Sequence, residues 1–192
     1  MNSALQLSLP PWLIEAGAAC PPLATAEGRM GFVVDLAARS AVSGGGPFAA
    51  AVFERDSGRL LAVGVNRVVA GNCAAAHAEL LALSLAQQAV GSFDLGAAGL
   101  PACELVSSAE PCLMCLGATL WSGVRRLVCA AADADVRAIG FDEGPKPPAW
   151  ADELRRRGIE VVEGVLRPRA VAVLEAYRAA GGTIYNGRAG SV

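Results

Sequence analysis

His77 is the only histidine in the chain, and it stands two residues before a carboxylate, in His77-Ala78-Glu79. Further along comes Pro111-Cys112-Leu113-Met114-Cys115. One imidazole and two thiolates make a good ligand set for zinc. A tetrahedral zinc with three protein ligands keeps its fourth position for water. Glu79 is near enough to the histidine to take that water's proton, the arrangement of a hydrolytic metal centre. The signal is specific, because five residues of four types fall at fixed offsets in two separate blocks. The bland alternative is a core histidine and two unrelated cysteines.

These residues need elements that bring them together. The Ala- and Leu-rich pattern from Ala74 to Val90 predicts a helix with His77 and Glu79 near its first turn. Pro111 suits the first position of a second helix, running toward Trp121, because its missing N–H costs nothing there. Cys112 and Cys115, three apart, then share one side of that helix. The positive end of a helix favours thiolate over thiol. Two helix starts meeting around one metal is the expected geometry. A short strand, Cys103–Ser107, should lead into the second block.

The remaining pattern gives a helix over Ala26–Val42 and a hairpin of strands Phe48–Glu54 and Arg59–Val69 around Asp56-Ser57-Gly58. Arg125–Ala131 reads as a strand, followed by a loop carrying Gly140-Phe141-Asp142-Glu143-Gly144-Pro145. A short helix Glu153–Arg157, a strand Gly158–Leu166 and a helix Pro168–Ala180 follow. Gly181-Gly182 then releases an apolar tail, Thr183-Ile184-Tyr185-Asn186. Strands alternating with helices after an initial hairpin imply an α/β sandwich with a mixed central sheet. Residues 1–25, punctuated by Pro10, Pro11, Pro21 and Pro22, read as an N-terminal arm, and residues 26–192 as the metal-binding domain.

Composition narrows the function. The chain has 192 residues, 54% hydrophobic and 18% charged, enough for one domain with a sizeable core. Net charge is −2, from 16 basic and 18 acidic residues, which argues for a small substrate over a nucleic acid. The densest basic run, Arg155-Arg156-Arg157, reads as the solvated face of a helix. Six cysteines in so long and apolar a chain need not be disulfide staples. Cys103 and Cys129 fall in strands and read as core; Cys73 reads as wall or packing. Met1–Cys20 lacks the basic start of a signal peptide. No uninterrupted apolar run reaches the roughly 18 residues that a membrane span needs. The expectation is a cytoplasmic protein with reduced thiols.

His77-x-Glu79 with Pro111-Cys112-x-x-Cys115 resembles the zinc-dependent nucleobase deaminases of the cytidine-deaminase-like superfamily. That resemblance implies a three-layer α/β/α fold. Within the superfamily the motifs are similar to the branch holding guanine deaminases and tRNA adenosine deaminases. Three features resemble the guanine deaminases. Pro47-Phe48-Ala49-Ala50 matches their Pro-Phe-x-Ala segment, where tRNA-editing enzymes carry a small aliphatic residue in place of Phe48. Ser108-Ala109-Glu110 precedes Pro111, and Trp121 follows Cys115 by six residues. Ile184-Tyr185-Asn186 resembles a C-terminal segment that closes the active site, in some members a neighbour's. The chain departs from the family in Gly140–Pro145, where many relatives carry Asp-Asp or another loop. Bacterial members that also accept amino-triazines such as ammeline are similar too.

The resemblance implies hydrolytic deamination of guanine to xanthine and ammonia by a zinc enzyme, a homodimer acting on a small nucleobase, with no nucleic acid or membrane partner. Zinc would sit on His77, Cys112 and Cys115, with Glu79 moving the proton. Phe48 would stack on the purine or join the core. Asn66 would read the ring edge or hold a turn. Trp121 would wall the pocket. Ala78 and Tyr185 complete the expected substrate contacts, and Glu110 would orient the site. Of the adjacent acids, Glu143 is preferred as a second carboxylate and Asp142 is the runner-up. The competing expectations are tRNA adenosine deamination, then cytidine or dCMP deamination, then a non-enzymatic zinc-stabilised module. That module would normally require four protein ligands.

Overall fold

A computed structural model describes residues 6–187. The central sheet has five strands: β1 (Ala49–Glu54), β2 (Leu60–Val65), β3 (Cys103–Ala109), β4 (Arg126–Ala131) and β5 (Glu160–Val162). Their order is β2-β1-β3-β4-β5. β1 is antiparallel to both β2 and β3, whereas β3/β4 and β4/β5 are parallel. Four strands therefore run one way and β1 alone runs the other. The carboxyl ends of those four, with the amino end of β1, form a single sheet edge. In open α/β sheets that is the edge where ligands bind.

Alternating residues on the strands face two cores, as a period of two requires. Ala49, Ala51 and Phe53 of β1 and Val128 and Ala130 of β4 pack under one layer of helices. That layer holds α1 (Pro11–Ala18), α2 (Ala26–Val42), α5 (Asp133–Ala138) and α7 (Arg167–Ala179). Ala50, Val52, Leu127 and Cys129 face α3 (Ala78–Val90), α4 (Leu113–Trp121) and α6 (Trp150–Arg156). The expected three-layer α/β/α sandwich with a mixed sheet is what the chain forms.

The departures have local causes. The proline-punctuated N-terminal segment carries α1, because Pro11 occupies its first turn and Leu13 is fully buried in the core. β2 ends at Val65, four residues before the expected limit. Asn66 Oδ1 accepts the Val68 N–H at 3.1 Å, an Asx turn that carries the chain off the sheet. β5 pairs over only three residues, because Gly164 (φ 76°) and Leu166 (φ 54°) are left-handed and break the extended run. Helix α5 was missed altogether. It is six residues long, and its start is secured by the Asp135 carboxylate accepting the Ala132 N–H at 2.8 Å.

At the sheet edge away from the carboxyl ends, Glu104 is fully buried near the start of β3. Its carboxylate meets Arg29 of α2 at 2.6 Å and Arg126 of β4 at 3.2 Å. Arg29 also donates to the Leu23 and Arg55 carbonyls. This network ties α2 to the middle strand of the sheet. Removing one partner of a buried pair leaves an uncompensated charge, at about 3–5 kcal/mol. Arg29→Met should therefore lower the denaturant midpoint of unfolding by a matching amount. An unchanged midpoint would show that the pair contributes nothing net.

Candidate active site

Both metal-ligand blocks begin helices, later than their sequence suggests: α3 starts at Ala78 rather than Ala74, and α4 at Leu113 rather than Pro111. His77 is the N-cap of α3 and Cys112 the N-cap of α4, each with extended backbone and with no capping hydrogen bond from the side chain. Their side chains are thus free to turn toward each other. Glu79 falls in the first turn of α3, and Cys115 in the first turn of α4. The backbone locks both ends in place. Arg67 N–H donates to Ala76 O at 2.8 Å, and Glu110 N–H to Ala131 O at 2.8 Å, which carries the β3/β4 ladder up to the ligand loop.

The His77 Nδ1, Cys112 Sγ and Cys115 Sγ atoms all lie within 4.8 Å of one another. Each sulfur is 3.5 Å from the imidazole nitrogen. A tetrahedral zinc with Zn–S near ~2.3 Å and Zn–N near ~2.05 Å would hold its S and N ligands about 3.5 Å apart. The donor set and its edge lengths therefore fit zinc. Among the described residues this is the single cluster of three or more such groups.

Protons are already displaced toward that state. Cys112 is held down to about 4, by the Cys115 thiol donating to it, with His77 adding to the effect against the cost of burial. Cys115, the donor of that bond, is pushed far up by the same contact and by burial. Burial works to lower the His77 pKa, yet its bond to Cys112 and the charge of Glu79 bring the net shift upward. Glu79 is raised, chiefly by burial and then by the Cys112 charge. Its Oε1 accepts from Ser107 Oγ at 3.2 Å, and its Oε2 lies 3.5 Å from Cys115 Sγ. Ser107 on β3 thus orients this carboxylate. Nothing in the sequence marked it beyond an inward-facing strand position.

A cavity of about 180 Å³ opens onto the metal ligands, and both Glu79 and Glu143 line it. Phe48 and Asn66 line it too, from the amino end of β1 and the carboxyl end of β2. Phe48 meets Phe141 edge-on at 5.1 Å between ring centroids, and Tyr185 lies 4.8 Å from Phe141. Phe48 serves wall and core together, so its two sequence readings coexist. Asn66 holds a turn, with Oδ1 accepting the Val68 N–H, while its side chain lines the cavity beside Tyr185. The Tyr185 hydroxyl is buried with no hydrogen-bond partner among the described residues.

The adjacent acids part company. Asp142 touches the cavity rim, but its side chain is 67% exposed, and Oδ1 accepts from Gly144 N and faces Arg137. Glu143 is half-buried and pushed up to about 8, by burial first and then by the Cys112 and Glu79 charges. Its carbonyl accepts the Leu113 N–H at 3.1 Å, which pins it beside the start of α4. The C-terminal segment borders the cavity through Tyr185, Asn186 and Gly187. Asn186 donates to Gly140 O and accepts from Asp142 N, each at 2.9 Å, so it clamps the acidic loop. Phe141 and Asn186 lie in segments the sequence singled out, but nothing local marked their individual roles.

Two expected contacts do not reach this cavity. Trp121 is 81% exposed at the end of α4. Six residues past Cys115, it lies about 9 Å further along the helix and on another side. It is not a pocket wall. Ala78 is fully buried against the sheet and is not among the cavity's lining residues.

The metal assignment has a direct test. Metal analysis of the purified protein should find about one zinc per chain, and Cys112→Ala should lower it sharply. Full zinc retention in both Cys112→Ala and Cys115→Ala would remove the assignment.

Residues 24–131 match the family described as the cytidine and deoxycytidylate deaminase zinc-binding region. Among solved structures, a guanine deaminase from Nitrosomonas europaea is 59% identical, with a TM-score of 0.91. That alignment covers 93% of this chain and 98% of the other. A glutamate-to-aspartate variant solved in complex with 8-azaguanine is also 59% identical, with a TM-score of 0.91, covering 94% of this chain and 99% of that one. The guanine deaminase of Bacillus subtilis (strain 168) is 37% identical over 99 residues, 52% of this chain and 59% of that protein. This chain thus matches about three-fifths of that curated relative's length. A three-ligand zinc site beside a buried glutamate, on this sheet edge and with these relatives, means that the chain belongs to the cytidine-deaminase-like zinc family and, within it, to the guanine deaminases.

Proposed function

We propose that this protein hydrolyses guanine to xanthine and ammonia. The observation that carries the reading is a pair of carboxylates, buried Glu79 and half-buried Glu143, facing one cavity beside a three-ligand metal site. Zinc, when bound there, supplies the Lewis acidity that makes water a strong nucleophile near neutral pH.

The protein's own groups do the rest. Glu79 takes a proton from the attacking water and, raised by burial, holds it well enough to pass it to the ring nitrogen beside the amine-bearing carbon. Ser107 keeps that carboxylate aimed. Glu143 as a carboxylate accepts from guanine's ring N–H and amine, a matched donor edge. Pushed up to about 8, it also carries a proton in the neutral range and can give it to the departing amine. The carbon gains the water's oxygen, one water proton ends on the ring nitrogen and the other leaves with the amine, so guanine and water become xanthine and ammonia. Such acid–base help is worth roughly 10²–10⁴-fold.

Phe48, Phe141 and Tyr185 offer aromatic surface for a flat bicyclic base, and the Asn66 amide offers a donor to its edge. The relative solved with 8-azaguanine supports a guanine-shaped ligand. Amino-triazines present a similar donor edge and belong in the substrate range. A tRNA substrate is disfavoured by the basic run. Arg155 pairs with Asp152 and Glu163, and both Arg156 and Arg157 pair with Glu153. We read the protein as a cytoplasmic homodimer. Thiolate ligands suit a reducing compartment. The outer side of the uncharged helix α4, with Leu113, Met114 and Trp121 exposed, suits a second copy. No helix among the described residues is long and apolar enough to cross a membrane.

Ammonia release from a panel of guanine, ammeline, adenine, cytosine, cytidine and a tRNA anticodon stem tests the reading. Guanine should be the best substrate by a wide margin. Deamination of the tRNA with none of guanine would overturn the substrate assignment. Single-carboxylate variants test the mechanism. Glu79→Gln and Glu143→Gln should each keep zinc and lose on the order of 10²-fold or more in turnover. Asp142→Asn should stay near the parent. Near-normal turnover in Glu79→Gln would place the base elsewhere, and a crippled Asp142→Asn beside an active Glu143→Gln would exchange the roles of the two acids.

A further inference from the structure

Lys146 lies outside both metal blocks, three residues beyond Glu143, yet its side chain is only 6% exposed. Burial of a lysine is unusual unless it is paired. Its ammonium donates to Glu110 Oε2 at 2.8 Å and to Pro111 O at 3.4 Å. It also lies 3.3 Å from Asp133 Oδ1, an ion-pair distance without hydrogen-bond alignment. The Trp150 ring takes its fourth side, 4.9 Å from the nitrogen to the ring centroid. One cation thus joins the end of β3, the start of α5, the start of α6 and the loop that carries Glu143.

Two of these partners matter to the site. Glu110 lines the cavity, and Pro111 is the residue before the ligand Cys112. The loop between Gly140 and Lys146 is held at its near end by Asn186 and at its middle by Leu113 N and Arg137. Lys146 supplies its far end. Among the described residues, its ammonium is the one polar contact that ties this loop to Glu110 and Pro111, the residues that lead into the ligand Cys112. We propose that Lys146 is a positioning residue for the reaction, which acts by holding Glu143 in register with the metal-ligand loop. This rests on the guanine deaminase reading, in which Glu143 touches the substrate. A displacement of about 1 Å in a reacting group can cost roughly 10²-fold in rate.

The test uses the zinc-loaded full chain and the best substrate in the base panel, so that failure of the substrate assignment shows in the parent and not in the variants. Lys146→Met keeps an unbranched apolar stem and removes the charge. It should keep about one zinc per chain. Its KM should stay within about threefold, and its kcat should fall by about 10- to 100-fold. In the Glu143→Gln background, adding Lys146→Met should cost less than threefold more, because residues that act through one group are not additive. If Lys146→Met does not fold, Lys146→Gln, which can still donate to Glu110, carries the same comparison. Near-parental kcat, or full additivity with Glu143→Gln, overturns the proposal. Loss of zinc or of folding in both Lys146→Met and Lys146→Gln overturns it as well, since the lysine would then be structural.

Discussion

Three ligand atoms must converge from segments 35 residues apart, and everything at this edge of the sheet follows from how that is done. Neither ligand helix supplies the convergence alone. His77 arrives on a loop leaving β2, and Cys112 on a loop leaving β3, two strands that run in the same direction on either side of β1. Their carboxyl ends therefore meet at one edge. Because both ligands are N-caps, each sits where the backbone is extended and the helix dipole is positive. That field favours the thiolate form that the metal needs. The low pKa of Cys112 and the high one of Cys115 share a cause: of two neighbouring buried thiols, one readily loses its proton and the other keeps it. Metal binding expels that proton, so metal affinity here must rise with pH until the ligands are bare.

The same edge collects negative charge, and its arrangement separates acids by role. Glu79 is enclosed, so burial governs its proton. Glu143 is half-enclosed and feels Cys112 and Glu79 besides. Asp142 is turned out to Arg137 and solvent. Neighbours in sequence thus differ in chemistry because the loop's backbone is fixed on alternate sides. Leu113 N–H holds the Glu143 carbonyl, while Asn186 holds the Asp142 N–H. Two carboxyl groups whose surroundings shift them by different amounts can divide acid and base work between them.

Much of this was legible in the sequence, and the illegible part has a common cause. His77, Glu79, Cys112 and Cys115 stand out because their types and offsets are set by metal chemistry rather than by packing. Helix α2 was legible to its end residues, since its apolar period runs unbroken between a Thr25 cap and a glycine run. Local backbone chemistry hid other boundaries: the Asn66 turn ended β2 early, and left-handed Gly164 and Leu166 shortened β5. Ser107 and Lys146 were invisible as site residues, and Phe141 and Asn186 stood in marked segments without a role of their own. Each acts through a partner at least 28 residues distant, or through a ring that only the tertiary fold brings near. Trp121 failed in the opposite sense: family position suggested a wall, but helical geometry carries it away from the metal.

The closing segment shows why the substrate wall could not be read from local pattern. Tyr185 lies against Gly46, where an added Cβ would come within 2.4 Å of its hydroxyl and 3.1 Å of Asn66. The glycine is therefore needed for the close approach of another chain segment, not for its own turn. Tyr185 next packs on Phe141, and Asn186 bonds to the backbone on either side of that same ring. The tail thus shapes the aromatic wall and fixes the loop that presents Glu143. A substrate that fills the cavity touches both, so its fit and the aim of the second carboxylate are set by one contact surface. That coupling arises because residues 183–187 return to the edge formed by β1 and β2 near the start of the domain.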